Sequence, residues 1–160
     1  MKLSPDDGKL DENLRSSALV AGGFMGDDPR SAAEIIQADA NVLERSGITL
    51  EMLAERLRDL TVIAKAGLGN WVETEDGRLR VMCDECKGIL VCPWRHAGRF
   101  AKRVTTAEQT DTGRTLVWTD LNLHLIEAHG FFEGRGSTFR IDPAAAVEFL
   151  FGPAGRERAE

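Results

Sequence analysis

The hydrophobic period of this chain changes at Trp71, and no other feature constrains the fold as much. Before that point, apolar residues recur every three or four positions, the spacing of one helix face. Ala32, Ile35, Ile36, Ala40 and Leu43 make one such stripe, and Leu50, Leu53, Ala54, Leu57, Leu60 and Ala64 make a second. After it, WVETEDGRLRV reads as two short extended runs about Asp76-Gly77, a two-residue hairpin signal. Helices followed by strands, without alternation, predict an α+β fold.

The punctuation refines this outline. Ser31 with Glu34 three positions on is a capping box, Gly47 suits a helix end, and Thr49 can cap a second helix closed by Gly67. The short connection predicts a tight antiparallel helical hairpin over 31–66, with the two apolar stripes facing each other. A small antiparallel sheet is expected over 71–141, with further strands at 89–91, 100–105 and 114–118. Thr119 caps a short helix, DLNLHLIEAH, that stops at Gly130. The glycine-punctuated GFFEGRGSTFRI then runs into a strand, and Asp142-Pro143 opens a second short helix over 143–151. Residues 1–15 read as a polar, mobile arm, 16–152 as a single domain, and 153–160 as a charged tail.

Composition narrows the function classes. With 160 residues and 42% hydrophobic content, the chain can bury a core without staples. No apolar run is long enough to cross a bilayer, and the acidic N-terminus lacks a secretory signal, which predicts a cytoplasmic protein. Three cysteines are an odd set for a disulfide framework, so reduced thiols or a metal site are favoured. Acidic residues outnumber basic ones fifteen to eight in residues 1–76, whereas basic residues lead ten to seven in 77–140. A net charge of −6 with only a mildly basic centre argues against nucleic acid as a partner.

The residues that could carry chemistry are cysteines and histidines. Cys83-Asp84-Glu85-Cys86 ends a predicted strand, with Gly88 two residues on, as in a zinc knuckle that aims two thiolates at one point. A redox C-x-x-C would open a helix, and an acidic dipeptide between the thiols would raise their pKa, so redox chemistry fits less well. His124 and His129 sit near the end of the helix that stops at Gly130. Five residues of ideal helix separate them by about 140°, and a loosened last turn can bring both rings to one ion. A knuckle, strands and a helix bearing two histidines resemble the zinc finger with two Cys and two His ligands, and also the treble-clef arrangement. The resemblance covers 81–130 and implies zinc held by Cys83, Cys86, His124 and His129, but the 37-residue spacer after Cys86 departs from DNA-reading fingers. A local set of Cys83, Cys86, Cys92 and His96 is an alternative. A purely structural reading puts His124 on the helix's apolar face and the cysteines in the core.

Two enzyme or ligand readings sit beside this one. HLIEAH places Glu127 between two histidines but has one residue too many for either metalloprotease pattern. In GFFEGRGSTFR, glycines free backbone amides while Arg135, Ser137 and Arg140 could converge on an anionic ligand. The alternative is that the glycines only make turns and the arginines pair with carboxylates. GITLEMLAERL resembles the first helix of a helix-turn-helix unit, yet no recognition helix follows. The string TDLNLHLIEAHGFFEGRGSTFRIDP also resembles a motif of bacterial proteins, which implies no activity. The expectation is therefore a non-catalytic, zinc-stabilised binding module of the bacterial cytosol, docking a protein or a small anionic ligand. A metal-dependent enzyme and a DNA-binding regulator are the alternatives.

Overall fold

A computed structural model of the chain describes residues 5–15, 23–94 and 98–158, the side chains of 5–7 and 153–158 excepted. The described residues form five helices and one four-stranded antiparallel sheet, an α+β architecture. The order is α1 (Pro5–Arg15), α2 (Ala32–Ser46), α3 (Leu50–Ala66), β1 (Val72–Glu73), β2 (Leu79–Leu90), β3 (Phe100–Gln109), β4 (Thr115–Thr119), α4 (Asp120–His129) and α5 (Pro143–Arg158). Neighbouring strands follow chain order, β1-β2-β3-β4. Among the described residues no helix is long and apolar enough to cross a membrane.

The helix boundaries follow from their caps. Ser31 and Glu34 close a capping box on α2, and Gly47 ends it in the left-handed region at φ 74°. Thr49 accepts from the Met52 amide to open α3. What the caps do not dictate is the partner of each helix. α2 and α3 are not set side by side as a hairpin. α2 packs on α5 and α1, while α3 packs on β2 and α4. A three-residue link therefore joins two helices that pack mainly on different neighbours, although Leu43 near the end of α2 shares an apolar cluster with Leu53 and Leu57. The segment read as a mobile arm is helical in α1, and its Leu14 is fully buried. The expected strand near residue 140 is instead a series of turns. The final helix is broken at Gly152, where φ is 64°.

Two apolar clusters share the interior, and α4 lies between them. The first collects Leu43, Leu53, Leu57, Leu60, Val81, Trp118, Ile126 and Phe132. Trp118 is fully buried there, and its indole N–H donates to Thr61 Oγ1 at 2.8 Å, which in turn donates to the Leu57 carbonyl. That chain satisfies a polar group that would otherwise be costly to bury. The second cluster holds Leu14, Met25, Ile35, Leu90, Cys92, Leu125 and Phe131, with Trp94 and Phe100 packed on it.

The knuckle expected at Cys83–Cys86 is not formed. The β2–β3 ladder runs unbroken through it, pairing Cys83 with Thr105 and Cys86 with Lys102. Successive side chains on a strand alternate between faces, so an i, i+3 pair points to opposite sides. Cys83 is buried and Cys86 is exposed. A register shift does occur, but only between Cys86 and Ile89, after both cysteines.

Candidate metal centre

α4 positions the histidines because both of its ends are fixed. Thr119 and Asn122 form a capping box at its start. At its end Gly130 adopts φ 64°, donating to the Ile126 carbonyl, and Phe131 donates to the Leu125 carbonyl at 3.1 Å. This closing motif ties Phe131 back into the second apolar cluster. His124 and His129 then lie with ring centroids 5.5 Å apart and planes at 85°.

The third group comes from the chain just beyond β2. Cys92 is buried, and its Sγ lies 3.5 Å from His129 Nε2. Ligand atoms of Cys92, His124 and His129 all fall within 4.8 Å of one another. In a tetrahedral zinc site with ordinary bond lengths, a sulfur–nitrogen edge is roughly 3.5 Å and a nitrogen–nitrogen edge roughly 3.4 Å. The Cys92–His129 edge already has that length, and a ring movement on the order of 1 Å would bring His124 to its place. Aromatic rings wall the group. Trp94 stacks on His129 at 4.1 Å and 11°, Phe131 meets Trp94 edge-on, and Phe100 lies 4.5 Å from the His124 ring.

Of the residues singled out in the sequence, the structure brings His124 and His129 together and leaves Cys83 and Cys86 out of the cluster. Cys83 contacts Thr105 Oγ1 at 3.3 Å, and burial pushes its thiol pKa up. Cys92, read before as part of a local set, joins the histidines instead. His96 of that set lies outside the described residues. Glu127, the acid that a metal-dependent enzyme would use as a general base, is exposed on α4 and pairs with Arg58.

The glycine-rich loop binds a carboxylate, but one of this chain's own. The Arg135 amide donates to Asp28 Oδ2 at 3.1 Å, and the Gly134 amide to the Phe24 carbonyl at 2.8 Å. The Arg30 guanidinium, joined by the amides of Arg135 and Arg30, holds the buried Asp28 carboxyl well below the usual carboxylate range. Arg140 makes a two-pronged pair with the buried Asp39 and donates to the Glu133 carbonyl at 2.8 Å. Arg135 and Arg140 do border one shallow cavity, together with Arg30 and Asp39, while Ser137 is buried. An incoming anion would compete there with Asp28 and Asp39.

Comparison with known proteins finds no match among family models, curated proteins or solved structures.

Proposed function

We propose that the chain is a zinc-stabilised, non-catalytic binding module whose metal is held by Cys92, His124 and His129. The observation that carries this reading is the convergence of one thiol and two imidazoles within 4.8 Å. Tetrahedral sulfur and nitrogen ligation is the preference of zinc. The metal would staple the segment just after β2 to the last two turns of α4, fixing the β2–β3 ribbon against the helix. A fourth ligand would complete the tetrahedron. The described residues bring no carboxylate into the group, and Glu127 is engaged with Arg58, which favours a structural over a hydrolytic metal. A thiolate ligand fits a reducing, cytosolic setting.

Metal analysis of protein purified without a histidine tag tests this directly. The wild type should carry close to one zinc equivalent. Cys92→Ser and His129→Ala should lose it, and Cys83→Ser should keep it. Metal retained in Cys92→Ser, or lost in Cys83→Ser, would refute the assignment. Ester hydrolysis by the zinc-loaded protein above that of His129→Ala would contradict the non-catalytic part.

A further inference from the structure

We propose that the outer edge of β2 pairs with the same edge of a second copy, about a two-fold axis at Cys86. β1 covers β2 only at Arg80 and Val81, so among the described residues the edge beyond has no strand partner. Its pairing pattern is fixed by the ladder already present. The Thr74 amide donates to the Leu79 carbonyl on the β1 side, and the Thr110 amide to the Arg78 carbonyl on the β3 side. Alternation then turns the amides and carbonyls of Cys83 and Glu85 outward.

Symmetry limits how two such edges can meet. In an antiparallel pair, hydrogen-bonded and non-hydrogen-bonded positions alternate, and a two-fold rotation cannot interchange them. The axis must therefore pass through a residue facing its own copy. Within the open stretch, an axis at Asp84 or Glu85 would set like carboxylates against each other, and an axis at Lys87 would oppose two ammonium groups. An axis at Cys86 sets Glu85 opposite Lys87 twice, with Cys86 facing Cys86 at a non-hydrogen-bonded position. The flanks of this edge are apolar and exposed. Leu68 is 88% exposed and shares a cavity with Cys83–Glu85, and Ile89 and Val91 are each 52% exposed. Regular pairing with β3 stops at Cys86 and resumes only at Ile89, with Gly88 at φ 129° between them, so the contact about the axis is short and the dimer weak. The proposal is independent of the zinc assignment, because Glu85, Cys86 and Lys87 are not among the proposed ligands.

Sedimentation velocity from micromolar to millimolar protein tests it, with circular dichroism verifying the fold of each variant. Concentration-dependent dimerisation is expected. Glu85→Lys and Lys87→Glu should each weaken it by roughly tenfold or more, and the double exchange should restore it. Cα atoms at a non-hydrogen-bonded pair lie about 4.5 Å apart, within disulfide reach. Diamide, which takes up the two electrons and two protons released, should therefore link two copies through Cys86. Cys86→Ser should abolish that link, and Cys83→Ser and Cys92→Ser should not. A monomer at millimolar concentration, or dimerisation unchanged by either charge reversal, would overturn the proposal. Cross-linking that survives Cys86→Ser would overturn it equally.

Discussion

At the scale of single residues, the decisive fact is parity. Cys83 and Cys86 are three positions apart, and on a continuous strand that spacing divides their thiols between two faces. The motif was legible, but its geometry depended on whether the strand turned, which no local signal decided. The histidines are the opposite case. Their placement on a short capped helix was readable, and the caps at Thr119 and Gly130 fixed it. Cys92 was missed as their partner because it reaches them only through the return of β3 and β4. Glu133 carries a separate prediction. It is almost fully buried, and burial pushes its carboxyl up to about 7 from the ordinary glutamate value of 4.5 despite the Asn122 amide that donates to it. Because the folded value lies above the unfolded one, the unfolded chain releases its proton first as pH rises. This group's contribution should fall between about pH 4.5 and about pH 7. The slope is at most about 1.4 kcal/mol per pH unit. Glu133→Gln should flatten that part of a denaturation-versus-pH series.

At the scale of elements, ends were easier to read than neighbours. The capping box of α2, the Thr49 cap of α3 and the Thr119 cap of α4 all stand where the sequence placed them. Caps are local chemistry, whereas the choice of packing partner depends on the whole chain. The stripe of α3 was correctly identified as apolar, yet it lies mainly on β2 and α4 rather than facing α2. Leu57, fully buried in that stripe, should cost about 2–5 kcal/mol as Leu57→Ala in chemical denaturation. Thr119→Ala should cost about 1 kcal/mol by removing the cap of α4. It should also weaken metal retention, since both histidines ride on that helix.

At the scale of the molecule, two glycine-rich loops close the structure by direct backbone contact. A Cβ on Gly134 would sit 2.3 Å from the Met25 carbonyl oxygen, and one on Gly26 would sit 2.3 Å from the Ser137 amide nitrogen. Both clashes are with backbone, so neither can be relieved by rotating a side chain. Gly134→Ala should therefore destabilise by more than the ~1 kcal/mol typical of a point substitution, read as a lowered denaturation midpoint. The sequence flagged the glycines of GFFEGRGSTFR, Gly134 among them, as a ligand-binding loop. It could not indicate that a segment about 107 residues earlier supplies the carboxylate they bind.

The zinc assignment binds these scales together, and X-ray absorption at the zinc edge tests it most directly. The account predicts one sulfur near 2.3 Å and nitrogen or oxygen neighbours near 2.0–2.1 Å, with the sulfur absent in Cys92→Ser. Two or more sulfurs in the wild type, or a sulfur that survives Cys92→Ser, would contradict it.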